Sequence, residues 1–297
     1  MKISSVIFLV VGLVISITGY IVCGVAESMA KSAGGYDLLF EYNYDEEGNI
    51  VKEYEFSKDT IIETDAEGNE VKKHAVRKVS LTFTDMDILV VGGADRSRVV
   101  FQNMSEGSYY YHISNNVLYV TNHFTLPNFL QSEGLSFDGM RKYLNTSKYD
   151  GKKQVILYVE DADELKQYDF KLNNCRIELE NINGAYDMRL EAKSSTVTMK
   201  NCSTESTLRL TLDKCKTVLD TVDYIETLIK GSGGELTYND TAIPYLFRYD
   251  IRSEGGSLNL NGVDQSSAIF QANLSGSDYH SLSLDMTGTK LTVYCNG

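Results

Sequence analysis

The chain has 297 residues, of which 42% are hydrophobic, enough to bury a substantial core in one or two domains. It carries 28 Lys and Arg residues against 41 Asp and Glu residues, a net charge of −13. No stretch combines basic and aromatic residues, so nucleic acid is excluded as an expected partner. Twenty tyrosines and 23 glycines, with only two prolines, favour strands joined by tight turns.

Residues 6–26 form one apolar run without a charge, preceded by Lys2. A helix of this length spans about 30 Å, the thickness of the hydrocarbon core of a bilayer. We expect one transmembrane helix, with residues 1–5 in the cytoplasm and a short linker at 27–35. The sequence therefore predicts a single-pass protein of the cell membrane whose C-terminal domain is extracellular.

A cleaved signal sequence is the alternative interpretation of the same run. Ala26 and Ala33 are small residues of the kind that precede a signal peptidase site. The apolar run is longer than the core of most signal peptides, which favours the uncleaved anchor. Either interpretation predicts that the rest of the chain is exported.

The exported part contains four cysteines, too few for a disulfide scaffold in a domain of this size. No CxxC occurs, and no histidine lies at the spacing of a zinc ligand, so we expect neither a metal nor another cofactor. The sequence leaves open whether one bridge, two bridges or none form among Cys175, Cys202, Cys215 and Cys295.

Residues 36–78 predict a β-hairpin extension with two similar acidic turns, at 45–49 and 65–69. Each turn places Gly-Asn between alternating runs, which is typical of a hairpin with a residue at positive φ. Acidic residues around a glycine also resemble a calcium loop, but their spacing does not match the EF-hand pattern. We therefore expect plain hairpin turns.

Residues 79–123 contain three clear strand signals with period two, the last interrupted by a predicted turn at Asn115-Asn116. Residues 124–152 break this pattern and read as an insertion with a short helix near 137–144. Long loops in compact domains are often functional, but a variable surface insertion is the simpler interpretation.

From residue 153 onward, short apolar strand signals recur at steps of about 20 residues, in two series. A fixed period with two short strands per repeat predicts an all-β fold of the β-solenoid or β-roll type, extending over residues 79–297. A β-sandwich is the competing architecture. The first series is Phe170/Leu172, Met188/Leu190, Leu208/Leu210, Leu228, Phe247/Tyr249 and Phe270, and the second is Ile177/Leu179, Val197/Met199, Val218, Leu236/Tyr238, Leu258/Leu260 and Leu282/Leu284.

Three segments carry a resemblance to a known family: 79–93 ending in VVGG, 109–120 with its Asn-Asn turn, and 155–159 leading into 165–179. The chain resembles the putative-adhesin family of bacterial membrane-anchored β-solenoid proteins, a domain of unknown function. The resemblance covers residues 79–297 without the insertion. It implies a surface-exposed role in adhesion or envelope sensing, with no established catalysis.

No residue merits a catalytic, cofactor-binding or metal-binding assignment, and we expect the protein not to be an enzyme. The four histidines are scattered, no nucleophile or phosphate-loop motif occurs, and solvated surface positions are expected for His74, His112, His123 and His280. Some β-solenoid enzymes cleave polysaccharides with clustered acids. The candidates for such a cluster are Asp161, Asp163 and Glu164, and Asp213, Asp220 and Asp223.

The run Tyr109-Tyr110-Tyr111 is the densest aromatic feature. In a strand, Tyr109 and Tyr111 point one way and Tyr110 the other, so we expect one face in the core and one exposed ring. An exposed tyrosine would suit a glycan or a protein partner.

Three functions remain open, and the sequence identifies no ligand. The leading one is a non-catalytic adhesin-like or scaffolding module of the cell envelope that binds an envelope polymer or protein. The second is a membrane accessory sensor in envelope-stress signalling, coupled through the small residues Gly12 and Gly19 of the predicted helix. The third is a β-solenoid carbohydrate-active enzyme.

Overall fold

The computed structural model describes residues 12, 19, 43–56, 60–64, 70–104, 108–122, 152–160, 165–240, 248–266, 269–272 and 280–295. The chain divides into two compact units, residues 1–50 and 51–297. The predicted membrane span at 6–26 lies outside the described residues apart from Gly12 and Gly19, and the predicted insertion at 124–152 lies outside them apart from Lys152. Within the described ranges, no helix has the length and apolar character needed to cross a membrane.

The regular elements are β-strands, which confirms the all-β prediction. Their bounds are β1 Asn43–Tyr44, β2 Ile50–Glu55, β3 Thr60–Thr64, β4 Glu70–His74, β5 Lys78–Thr84, β6 Asp87–Gly92, β7 Arg98–Gln102, β8 Tyr110–Ser114, β9 Val117–Thr121, β10 Gln154–Val159, β11 Gln167–Asn173, β12 Arg176–Glu180, β13 Ala185–Lys193, β14 Thr196–Asp240, β15 Arg248–Glu254, β16 Ser257–Leu260, β17 Val263–Asp264, β18 Ile269–Ala272, β19 Ser281–Thr287 and β20 Lys290–Cys295.

The turn between β1 and β2 matches its prediction. One carboxylate oxygen of Asp45 accepts the backbone N–H groups of Glu47 at 3.0 Å and Asn49 at 2.8 Å, and the other accepts the Asn49 side-chain amide at 3.0 Å. Gly48 has φ +81°, which glycine adopts without steric cost. The acidic residue thus stabilises the turn itself. The similar turn at 65–69 lies outside the described residues, but β3 and β4 on either side of it pair as an antiparallel hairpin.

The strands of the second unit, apart from this hairpin, belong to one large mixed sheet. One series of parallel neighbours in it, named here the first ladder, runs β9, β5, β11, β13 and the 204–213 stretch of β14. Its strands are in register, so that Tyr168 lies opposite both Val79 and Met188. β8 pairs antiparallel with β9 across the predicted turn, where Asn115 and Asn116 have φ +50° and +62°.

The second ladder contains the other strand of each pair. Its parallel series runs β10, β6, β12 and the 196–200 stretch of β14. β7 joins β10 antiparallel, and β2 joins β7 antiparallel. Because β5–β6, β11–β12 and β13–β14 each contribute one strand to either ladder, the chain alternates between the two ladders as it advances.

β14 has 45 residues and would be about 150 Å long if straight. It bends instead, with positive φ at Asn201, Lys214, Thr221, Gly233 and Gly234. Four separate stretches pair with other strands: 196–200 with β12, 204–213 with β13, 226–232 with β19 and 235–240 with β20. Within β14, side chains 19 positions apart form hydrogen bonds: Thr207 with Glu226, Asp213 with Ser232, and Asp220 with Asn239.

The C-terminal strands do not stack in chain order. β19 lies between the 226–232 stretch of β14 and β15, and β20 lies between the 235–240 stretch and β16. The pair β15–β16 therefore lies beyond the pair that follows it in sequence. Leu282 lies opposite Tyr249, so the assignment of Leu282/Leu284 to the second series of repeats is wrong. β18 then pairs antiparallel with β15, so Phe270 does not continue a parallel series.

The core lies between the two ladders, and in most of their strands every second side chain is buried in it. The two predicted series of apolar residues fail to face the core at Val218 and Leu228. These side chains point outward, while their neighbours Thr217 and Thr227 are buried. Neither buried threonine hydroxyl has a hydrogen-bond partner among the described residues. The cost of burying these hydroxyls is tolerated inside an otherwise apolar column.

The bend after each first-ladder strand has a recurring geometry. One residue takes positive φ, as Asn174, Ser194 and Lys214 do, and the next side chain points inward. At that inward position the thiols of Cys175 and Cys215 and the hydroxyl of Ser195 each donate to the carbonyl oxygen two residues earlier, at 3.3, 3.3 and 2.7 Å. The cysteines therefore act as small corner residues that serine can replace.

Three of the four cysteines that could have formed disulfides are present as thiols. Cys175, Cys202 and Cys215 are free and buried. Burial raises the pKa of Cys202 to about 11, so little thiolate is present at neutral pH. These thiols serve packing rather than reactivity.

Candidate ligand-binding surface

The structure describes three of the six carboxylates proposed for a catalytic cluster. Asp161, Asp163 and Glu164 lie outside the described residues. Each of the other three has its own partner: Asp213 accepts from Ser232 at 3.2 Å, Asp220 accepts from Asn239 at 2.9 Å, and Asp223 faces His280 at 2.8 Å. In the part of the chain that the structure describes, no three His, Cys, Asp or Glu side chains are placed to hold a metal ion.

Two of the four histidines can be placed by their side chains. His280 is half-buried beside Asp223. His112 is also half-buried, so the expectation of a solvated ring is wrong there. His74 ends β4 with its side chain outside the description, and His123 lies outside the described residues altogether.

The three rings of the tyrosine triplet pack against the rest of the protein, and none of them is exposed. Tyr109 and Tyr110 are both 9% exposed. Tyr109 stacks on Phe101 with ring centroids 3.7 Å apart, and Tyr111 stacks on Tyr54 at 4.5 Å. The prediction of one exposed ring in this run is therefore wrong.

The exposed aromatic ring near this end belongs to β9 instead. Tyr119 is 37% exposed and lies opposite His112 of β8. The two rings stack at 4.8 Å with 12° between their planes, and the Tyr110 ring lies 5.0 Å from His112 with a tilt of 39°. Burial lowers the pKa of His112, so its imidazole is neutral at neutral pH. The stack holds the partly exposed Tyr119 ring against His112 at the surface, and this pair of rings is named here the platform.

This platform begins a line of outward side chains across the first ladder, which we name the outer row. Each member lies directly opposite the next on a neighbouring strand. At about 4.8 Å per strand, the five positions span about 19 Å. In spatial order they are Tyr119, Ser80, Asp169, Arg189 and Arg209.

The charges in the outer row are unequally neutralised. Asp169 is 3.5 Å from Lys78, and Arg209 is 3.1 Å from Asp187. Arg189 is exposed and has no ion pair or side-chain hydrogen bond with any residue that the structure describes. The row therefore presents an aromatic platform, a small hydroxyl and one available guanidinium to the same side.

The sequence predicts which side chains of this row face outward but not that they lie in one line. Alternation predicts that Tyr119, Ser80 and Arg189 face outward, because their neighbours are apolar. Their alignment depends on β9 lying beside β5, although three strands separate the two in sequence, and on the register of every pair. Neither property can be read from a periodic pattern.

No known family model matches the sequence, and no curated protein matches it. Among solved structures, the crystal structure of a "putative cell adhesion protein" from Clostridium sporogenes aligns with 82% of this chain and 98% of its own. The two chains share 13% sequence identity, with a TM-score of 0.44.

Proposed function

We propose that this chain is a non-catalytic, adhesin-like surface protein of the cell envelope, whose β-solenoid domain binds an envelope polymer or protein through the outer row. The solenoid is supported by the parallel ladders and by side-chain hydrogen bonds between residues about 20 positions apart, such as that from Lys200 to Glu178. The sequence resemblance to the putative-adhesin family supports the surface role.

The observation that carries the proposal is the stacked pair Tyr119–His112 at one end of an outward line of polar side chains. An exposed aromatic face binds sugar rings and partner side chains, and adjacent hydroxyl and charged groups give such binding its orientation. An array on rigid strands also loses little conformational entropy when a ligand binds.

The anchor is part of the proposal. Residues 6–26 would hold the domain at the outer face of the cell membrane as a single span, with the C-terminal domain extracellular. Their apolar character and length support this location.

The test measures binding of the full chain, in detergent micelles, to a purified cell-envelope fraction. Tyr119→Ala removes the exposed ring, and we expect affinity to fall about 10-fold, as for an aromatic hot spot. Tyr186→Ala is the matched control, since this ring is 56% exposed but outside the outer row.

Equal binding by the wild type and Tyr119→Ala would contradict the proposal, as would an equal loss in Tyr186→Ala. Release of reducing sugar from the envelope fraction by the wild type would overturn the non-catalytic assignment.

A further inference from the structure

Two arginines face each other at the β14 end of the first ladder. Arg189 of β13 lies directly opposite Arg209 of β14, both on the outer side. Asp169 of β11 lies opposite Arg189 on its other side, but the Asp169 carboxylate is paired with Lys78 at 3.5 Å and makes no ion pair with Arg189. The two arginines are also a local exception in a chain with a net charge of −13.

The two guanidinium groups differ in availability. Arg209 is half-buried and bound to Asp187 at 3.1 Å, whereas Arg189 is exposed and, within the described ranges, unpaired. The planar guanidinium presents parallel N–H donors whose geometry matches a carboxylate. Because Arg209 is already bound to Asp187, Arg189 is the available donor to an anionic group.

We propose that the outer row binds an acidic polysaccharide, with one sugar ring on Tyr119 and His112 and a carboxylate of the same polymer on Arg189. This inference rests on the proposed function and names the ligand class. Three strand spacings, about 14 Å, separate the ring platform from Arg189, so different sugar units of one polymer occupy the two positions. The Ser80 hydroxyl lies between them as a donor or acceptor for sugar hydroxyl groups.

The charge distribution limits where such a polymer binds. The chain as a whole repels polyanions, because its net charge is −13. A polyanion therefore gains affinity only where a cation is locally available, and Arg189 supplies one about 14 Å from the aromatic platform. A neutral polymer would use the platform but gain nothing from the guanidinium charge.

The experiment compares polygalacturonate with its fully methyl-esterified form, using the full chain in detergent micelles. The variants are Arg189→Gln and, as a matched control, Arg176→Gln, an exposed arginine in the second ladder. We expect Arg189→Gln to weaken polygalacturonate binding about 10-fold or more, the range of a charged hydrogen bond, and Arg176→Gln to leave it unchanged. Esterification should weaken wild-type binding by a similar factor and leave Arg189→Gln unaffected.

Three outcomes would overturn the inference. The first is equal binding of the acid and the ester by the wild type, and the second is unchanged polygalacturonate binding by Arg189→Gln. The third is Arg189-dependent binding of a polyphosphate without binding of polygalacturonate, which would assign a phosphate ligand instead. If Tyr119→Ala loses envelope binding while Arg189→Gln retains it, the proposed function stands and only the acidic ligand fails.

Discussion

The strand pairs between residues 165 and 240 differ from those between 248 and 295 in how they choose their neighbours. In the first region, three successive pairings join strands about 20 residues apart: β11 with β13, β12 with the 196–200 stretch of β14, and β13 with the 204–213 stretch. In the second region, β19 and β20 lie between two pairs that both precede them in sequence. Both regions contain strands with alternating burial, such as β11 in the first and β19 in the second.

The sequence pattern therefore determines the strands and their buried faces but not the neighbours of each strand. Alternation and spacing specify which residues form strands and which face the core, in both regions. They do not specify which strand lies beside which, because any in-register parallel neighbour satisfies the same pattern. Neighbour choice depends on connections and on the fit of individual side chains, which a period does not record.

The largest effect is expected from crowding at a bend of the first region. A Cβ on Gly234 would lie 2.1 Å from the Cys215 carbonyl oxygen, and φ there is +83°. Gly234→Ala should lower the free energy of unfolding by more than about 3 kcal/mol, because the backbone must shift as well as adopt a strained φ. Urea-induced unfolding measures the change.

Gly255→Ala is the control from the second region. Its φ is +65°, but nothing lies within 4 Å of the added Cβ. The cost should be only about 1 kcal/mol, the conformational penalty alone. Equal losses in the two variants would contradict the crowded bend between residues 215 and 234.

A cross-link tests the order of the second region directly. Leu228 lies opposite Ser283, and Ser283 lies opposite Asp250, all facing outward. The variant Leu228→Cys/Ser283→Cys should form a disulfide, because one strand spacing of about 4.8 Å lies within the Cα range of a bridge. We expect a gain of about 2 to 4 kcal/mol in stability on oxidation.

The variant Leu228→Cys/Asp250→Cys should remain reduced, because β19 separates these positions. Mass spectrometry after mild oxidation distinguishes the two variants. A bridge in the second variant, without one in the first, would show that the strand pairs stack in chain order.

The smallest effect concerns the pH dependence of stability that arises from His112 of β8, the strand that pairs with β9. Burial lowers the pKa of His112 in the folded state, so the unfolded chain binds a proton at higher pH than the folded chain does. The stability that the neutral ring contributes is complete above the unfolded value of about 6.5 and is lost as the pH falls through the lower folded pKa. His112→Phe retains the stacking ring without the titration.

Thermal unfolding of the two proteins between pH 7 and pH 5 measures this difference. The wild type should lose more stability than His112→Phe, by less than about 1 kcal/mol, because solvent still screens the half-buried ring. Identical slopes with pH would show that His112 does not titrate differently in the two states.

Sequence reasoning therefore predicted local structure better than arrangement. The Asn115-Asn116 turn and the Gly48 turn follow from residues that tolerate positive φ, and both were predicted. Thr217 and Thr227 were missed because a buried threonine breaks a pattern defined by apolar residues. The outer row was missed because Tyr119, Ser80 and Arg189 meet only through strand pairing.

The position of β19 and β20 has a mechanical consequence. β19 is paired along seven residues with each of its two neighbours, and these bonds run across the strand direction. A pull along β19 loads both rows of bonds together, in shear, whereas a strand at the edge of the sheet can be peeled from one side. Tension applied along β19 would therefore pass to β14 and to β15 at the same time.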